Sequence, residues 1–228
     1  MQKNLWRLIG ALSCLVALPA HAIFLSSYIY EMGSDETFIS KAVKNDTASN
    51  NLYKVSAVKI DRPGLEGERV VQQQQRELIF TPLKLNIAAG KTDYFKLLYI
   101  GPKDQQERYY RVTFLETPIE PLDQVAEQQS SVFLPSVSLS TILIVRPKQQ
   151  QLRYDFNDQQ GALKNTGNTF FKVIIAQGCD GDDTDATQFF MLPGESYHNA
   201  NLSAENRITL VANKQFIPIG KYCRMESD

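Results

Sequence analysis

From Phe38 onward, short apolar or alternating runs are separated by turn signals roughly every ten residues, the spacing of an all-β chain. Phe38 to Val43 runs into Lys44-Asn45-Asp46, a turn sequence. Leu52 to Ile60 alternates, with Leu52, Lys54, Ser56, Val58 and Ile60 on one parity and Tyr53, Val55, Ala57 and Lys59 on the other. Asp61-Arg62-Pro63-Gly64 ends it. Leu78-Ile79-Phe80 leads to Thr81-Pro82, and Ala88-Ala89-Gly90-Lys91 turns the chain into Tyr94 to Ile100. Tyr109 to Leu115 is rich in aromatic and β-branched residues, and Val137 to Val145 follows a polar connection. Leu122 to Gln129 is the best helical stretch, but it is short and Gln-rich and reads as loop; Gln72 to Gln75 reads as a solvated loop or strand edge.

Pro147 follows a long apolar strand and cannot donate to a sheet, so Arg146-Pro147-Lys148 marks a boundary. A second series begins after it: Leu152 to Phe156, Gly161 to Lys164, Phe170 to Ala176, Gln188 to Met191, Ile208 to Val211 and Phe216 to Ile219. Two immunoglobulin-like β-sandwich domains, 23–147 and 148–228, fit this spacing; one large barrel is the competing architecture.

Residues 1–22 read differently. Lys3 and Arg7 precede an apolar stretch from Leu8 to Leu18, and Ala20-His21-Ala22 has the form of a signal-peptide cleavage site. The stretch is too short to span a bilayer, and no apolar run of spanning length follows, so no membrane insertion is expected after cleavage. The chain beginning at Ile23 keeps two cysteines, Cys179 and Cys223, 44 positions apart. An even count in an exported chain predicts a disulfide between them, and one remaining histidine, His198, is too few for a His-based metal site.

Charge excludes one class of partner. Lys and Arg number 24 against 25 Asp and Glu, so no basic excess exists to hold a nucleic-acid backbone. Candidate catalysis is thin. Gly194-Glu195-Ser196-Tyr197-His198 begins like a nucleophile elbow but lacks the final Gly and the strand–turn–helix setting. Asp180 to Asp185 has the acid spacing of a calcium loop without the twelfth-position Glu, and reads as a solvated turn beside Cys179. No catalytic residue, metal or cofactor is expected. The sole tryptophan, Trp6, falls in the leader, so the aromatic platform of an exported carbohydrate-binding module, which stays a rival reading, would have to come from Tyr and Phe.

Several blocks, in order, resemble a known family. They are Thr81-Pro82-Leu83 with Ala89-Gly90-Lys91 and Tyr94-Phe95-Lys96, Glu107 to Phe114, Thr141 to Pro147, Leu163 to Asn168, and Met191 to Ser196. Together they are similar to the periplasmic pilus-assembly chaperones of the usher pathway. Gly101-Pro102 with Glu107 to Val112, Asn165 to Asn168 with Phe171-Lys172, and Lys214 to Ile217 carry a closer resemblance to the alpha branch and its common-pilus (Ecp) chaperones. The resemblance implies a boomerang of two immunoglobulin-like domains located in the periplasm. It also implies pilus subunits and an outer-membrane usher as partners, and leaves open whether the unoccupied protein self-caps as a dimer. The implied mechanism is donor-strand complementation, in which a chaperone strand fills the groove of an incomplete subunit. A pilus subunit or adhesin is the rival reading, but two apparent sandwiches do not suit it.

The resemblance also places a site. The donor strand falls on Phe133 to Thr141, where Phe133, Val137, Leu139 and Thr141 share one parity and the serines the other. Typical members hold the client's C-terminal carboxylate with an Arg and a Lys, whose positions fall here on Ser27 and Ile142. Arg111, ahead of Arg108, is the candidate substitute, because the strand that they begin should run antiparallel beside the end of Val137 to Val145. Glu107 and Arg146 match two members of an interdomain ion-pair network. Its third acidic position falls on Asn213, which predicts a network reduced to a pair.

Overall fold

The structure, a computed structural model, describes residues 23–63, 68–119, 136–182 and 184–220. Two sheets come from its first half. Strands β1 (Ile23–Phe24), β3 (Phe38–Asn45), β7 (Thr92–Tyr99) and β5 (Leu78–Thr81) form one, in the order β1-β3-β7-β5. Strands β2 (Ile29–Met32), β9 (Val137–Val145), β8 (Arg108–Pro118), β4 (Asn51–Ile60) and β6 (Lys84–Ile87) form the other, in the order β2-β9-β8-β4-β6. The first strand run thus changes sheets between Phe24 and Ile29. Pairing is antiparallel throughout except for β2 against β9, which is parallel.

Alternation decides which side chains meet between these sheets. Tyr53 and Val55 of β4, Tyr110, Val112 and Phe114 of β8, and Leu143 and Val145 of β9 face Val43, Phe95 and Leu97 of the other sheet, all buried. Phe95 and Phe114 pack tilted with ring centres 5.9 Å apart. Burying each large apolar side chain contributes on the order of 1.5–3 kcal/mol. The opposite parity of β8 and β9 builds a separate cluster of Ile60, Tyr109, Ile142 and Ile144, to which Phe170 and Leu192 of the second half are added.

The second half forms a sheet of β10 (Tyr154–Asn157), β11 (Ala162–Asn165) and β14 (Ser196–His198), and one ordered β13 (Thr187–Met191), β12 (Phe171–Ala176), β15 (Arg207–Ala212) and β16 (Gln215–Ile219). Leu163, Phe171, Val173, Met191, Leu202 and Leu210 fill the space between them. β15 and β16 are joined by Asn213 and Lys214, both at positive φ (50° and 63°), a two-residue hairpin turn that matches strand twist. At the Leu192–Glu195 turn, Glu195 N donates to Leu192 O at 3.1 Å, and Gly194 takes the positive φ of 85° that a side chain would strain.

No helix occurs among the described residues, and the molecule is all-β with two sandwich domains. The barrel alternative is therefore wrong: the chain changes from one sheet pair to the other after β9 instead of closing a single sheet. The strand readings from β3 to β5, β7 to β13, β15 and β16 correspond to observed strands within a few residues. β1, β2, β6 and β14 have no counterpart among the strand readings, being only two to four residues long; in β6 the alternation of Leu85 and Ile87 with Lys84 and Asn86 was the signal available. Leu122 to Gln129 lies outside the described residues.

Candidate functional site

The edge of the five-stranded sheet is the feature from which the site grows. β2 covers only the second half of β9: Ile29 stands beside Ile142 and Met32 beside Val145. Ile142 N donates to Tyr28 O at 2.8 Å and Arg146 N to Met32 O at 3.0 Å, so the even-numbered residues of β9 direct their N–H and C=O groups outward. The odd residues face the β8 ladder, where Thr141 stands opposite Val112 and Leu139 opposite Phe114. Before Ile142 no described strand covers that outward side. Among the described residues Ser138 and Ser140 therefore have no backbone partner on that side, and such an unpaired edge is the feature that templates strand addition.

The side chains of this segment split by parity. Val137 is 39 % exposed, and Leu139 is half-buried against the domain's own core. Thr141 is buried, and its Oγ1 donates to Val112 O at 3.2 Å and shares a hydrogen bond with Tyr30 Oη at 3.0 Å. Burial pushes the Tyr30 hydroxyl up to about 12 against the Thr141 hydrogen bond. Thr141 thus serves its own domain and offers no side-chain surface, contrary to its expected place in the donor row. The serines lie on the outer face: Ser140 Oγ bonds Thr113 Oγ1 at 3.0 Å and Ser136 Oγ bonds Thr117 Oγ1 at 3.3 Å. Phe133 lies outside the described residues.

Beside the covered half of β9 a cavity of about 520 Å³ opens between the two domains. Tyr28, Ile29, Ile142, Ile144, Phe170, Phe190 and Leu192 give it apolar walls, and Arg62, Arg111 and Glu195 stand at its polar side. Arg111 lies opposite Ile142, at one end of the Ile142 to Arg146 stretch near which the strand start was expected. Its Nε donates to Glu68 Oε1 at 2.6 Å, and its Nη2 bonds Glu68 Oε2. That ion pair, the largest cause, raises the guanidinium pKa further. Arg62 pairs with Glu195 across the two domains, while Glu195 Oε2 accepts Leu192 N at 2.8 Å.

Arg108 is placed otherwise. It shares the parity of Tyr110 and Val112, stands opposite Val145 and is buried. Its guanidinium grips Asp104 through Nη1 at 2.7 Å and Nη2 at 2.6 Å. Those hydrogen bonds hold the Asp104 carboxyl down at about 2. Arg108 therefore does not line the cleft and is not a carboxylate anchor there.

The interdomain network is larger than the expected pair. Arg146 Nη1 donates to Glu107 Oε2 and to Thr169 Oγ1, each at 2.6 Å, and Thr169 Oγ1 donates to Glu107 Oε2 at 2.7 Å. Phe170 N donates to Glu107 Oε1 at 3.0 Å, so both carboxylate oxygens reach across to the second domain. The third acid is Glu31 of β2, paired to Arg146 Nη2 at 2.8 Å. Asn213 has no part in it because it sits in the β15–β16 hairpin turn. The Arg146 guanidinium also stacks 4.4 Å from the Phe170 ring centre. Asn165 prepares this junction, donating to Thr169 O at 2.9 Å and Met191 O at 3.1 Å.

Sequence reasoning missed Lys41, Glu31, Arg62, Glu68 and Thr169. For Lys41 a signal existed: it falls on the buried parity of β3 with Val43 and Asn45. Its Nζ donates to Ser27 O at 2.7 Å and Ser27 Oγ at 2.8 Å and lies 4.2 Å over the Tyr30 ring, and burial lowers its pKa. The others come from loops or solvent-parity positions whose partners are remote in sequence. Cys179 is disulfide-bonded, while Cys223 lies outside the described residues. Ser196 to His198 forms β14 against β11, and no cluster of three metal-ligating side chains occurs among the described residues.

No protein-family model matches the chain. The probable fimbrial chaperone EcpE of Escherichia coli K12 is 36% identical over 212 residues, covering 92% of this chain and 89% of that protein. The probable fimbrial chaperone EcpB of Klebsiella pneumoniae strain 342 is 28% identical over 208 residues, covering 88% and 92%. Among solved structures, the class 5 fimbriae chaperone CfaA aligns with a TM-score of 0.57 at 15% identity, over 87% of this chain and 98% of that one. A chain of the complex between the SafB chaperone and SafA pilin of Salmonella enterica aligns with a TM-score of 0.55 at 14% identity, over 90% and 99%. The structural likenesses establish the shared fold. The sequence relationship, across nearly the whole chain, establishes more: the chain belongs to the fimbrial chaperones of the usher pathway, in the common-pilus group of EcpE and EcpB.

Proposed function

We propose that this protein is a periplasmic chaperone that captures pilus subunits on the open edge of β9, completes their fold and passes them to an outer-membrane usher. The observation that carries this reading is the half-covered strand: β2 pairs Ile142 to Val145 and leaves the outward groups of Ser138 and Ser140 unpaired. A subunit strand added there gains main-chain hydrogen bonds, while alternate side chains supply fit. Val137 and Leu139 are the described donor residues, and Phe133 continues their parity. The names of the EcpE and EcpB relatives, and a fold shared with a chaperone that binds a pilin, support the same reading. The signal-peptide pattern and the bonded Cys179 fit an exported protein.

Arg111 is the cation that meets the subunit's C-terminal carboxylate. An added strand cannot run beyond Ile142 because β2 occupies that edge, so its end falls at the cleft beside Arg111. The mechanism needs no covalent step. Release follows when a better-fitting subunit strand replaces β9. The domains divide at Pro147, with 23–147 carrying the donor strand and 148–228 closing the far side of the cleft.

The test is co-expression in the periplasm with a common-pilus major subunit, followed by affinity capture and size-exclusion chromatography. A soluble one-to-one complex is expected, with the subunit degraded when expressed alone. Val137→Asp places a charge in the subunit groove at an exposed position, so it should abolish the complex while leaving the thermal midpoint within a few degrees of the parent. Normal complex recovery with this variant removes the donor-strand assignment.

A further inference from the structure

The cation at the cleft already carries a carboxylate. Glu68 meets Arg111 through both oxygens, the fork geometry a guanidinium offers to any carboxylate, a chain terminus included. The pair is only partly in water, with side chains 28% and 15% exposed, so salt screens it less than a surface pair. Nor does Glu68 hang from a loose loop. Its neighbour Arg69 donates N–H to Asp61 Oδ1 at 2.8 Å and accepts Asp61 N–H at 3.0 Å, and Val70 bridges Ile60 at the end of β4. The fold therefore delivers a carboxylate to Arg111 from within the same domain.

The same guanidinium borders the apolar cleft into which the open edge of β9 leads. A strand added along Ser138 and Ser140 is stopped by β2 at Ile142, and Arg111 stands opposite Ile142. A terminal carboxylate arriving there needs the donors that Glu68 holds, whereas a terminal ammonium would be repelled.

We infer that Glu68 is a built-in competitor: it occupies Arg111 in the unloaded protein and is exchanged for the terminal carboxylate of the captured strand. This rests on the reading of the β9 edge as the subunit site. Glu68 neutralises the partly buried charge of Arg111 before capture, and the exchange makes binding depend on a matching terminal carboxylate, since a chain end without one leaves the Glu68 pair in place. Occupancy by Glu68 lowers affinity for every carboxylate-ended strand and sets the rate of loading.

The experiment uses the full mature chain and a fluorescent peptide reproducing the C-terminal strand of the common-pilus major subunit, as the α-carboxylate and as the α-amide. Binding is read by fluorescence polarisation. Glu68→Gln should bind the carboxylate form about tenfold more tightly, with the amide form unchanged. Arg111→Gln should erase the difference between the two forms. Glu68→Asp, too short for the two-point contact, should fall between parent and Glu68→Gln, and it replaces the Gln variant if that one loses its cooperative melt. An unchanged carboxylate-to-amide ratio in both Glu68 variants, with discrimination lost in Arg111→Gln, overturns the competitor and leaves the anchor standing. Discrimination that survives in Arg111→Gln overturns the anchor and the competitor together. Binding of neither peptide by any of these proteins overturns the reading of the edge itself.

Discussion

Arg146 and Glu107 show how much a few side chains hold between the domains. Their side chains are 4% and 0% exposed, and the two carboxylate oxygens of Glu107 accept from Arg146, Thr169, Phe170 N and Tyr109. Removing one partner of such a buried pair strands the other charge, so Arg146→Ala should cost about 3–5 kcal/mol in urea unfolding. A loss below about 1 kcal/mol would mean that the network behaves like a surface pair. Asp104 makes a pH-dependent contribution. Its folded pKa of about 2 lies below the usual 3.8 because Arg108 hydrogen-bonds the charged form. The contribution is therefore complete above pH 4 and fades as pH falls from 4 toward 2. Asp104→Asn should lower the thermal midpoint at neutral pH, and the gap from the parent should close across that acid window. A gap that stays constant to pH 2 would assign its effect to something other than the charge.

Among the elements, β9 serves two neighbours at once. Its odd residues bind β8 and enter the domain core, while its even residues face β2 from Ile142 onward and no described strand before it. Backbone and side chain can therefore be tested separately. Ser140→Pro removes an outward N–H that no described strand uses, so the domain should keep its cooperative melt while subunit capture falls at least several-fold. Equal capture by this variant would show that the edge N–H at Ser140 is not a contact. Leu139 is a poorer probe, because it stands opposite Phe114 and packs half-buried against the first domain's core, so a charge there would also disturb the chaperone's own core. β8 repeats the division: Tyr110, Val112 and Phe114 face the core, while Tyr109 and Arg111 face the cleft.

For the whole molecule, the cleft depends on both domains being held together. Ile60, Tyr109, Ile142 and Ile144 of the first domain pack with Phe170 and Leu192 of the second. Phe170 also stacks on Arg146 and lies edge-on to Phe190, ring centres 5.7 Å apart. Phe170→Ala would open this seam while leaving each sandwich core intact. Small-angle scattering should then report a broader spread of interdomain angles, and subunit affinity should fall without loss of either domain's strand content. A scattering profile identical to the parent's would assign the interdomain angle to the Glu107–Arg146–Thr169 network alone. The Arg62–Glu195 pair on the other side of the cleft is more exposed and contributes less.

The sequence alone determined the strand content, the two-sandwich plan and the family, because each rests on local signals: period-two alternation, turn chemistry, and an ordered set of short blocks. It also placed the strand start with Arg108 and Arg111 near Ile142 to Arg146, since adjacent antiparallel strands bring such ends together, while the register that sets Arg111 opposite Ile142 came from the structure. What it left open was settled by packing over long sequence distances. Thr141 and Leu139 have the same parity as Val137, yet only the tertiary structure decides that the first is buried under Tyr30, the second half-buried and the third exposed. The third acid of the interdomain network came from Glu31 and not from position 213, because the parallel pairing of β2 brings it beside Arg146, 115 positions away. Glu68 was equally illegible, being a loop carboxylate with no periodicity. Its meaning appears only when the fold brings it against Arg111, 43 positions later, at the end of the β9 edge that β2 leaves half-covered.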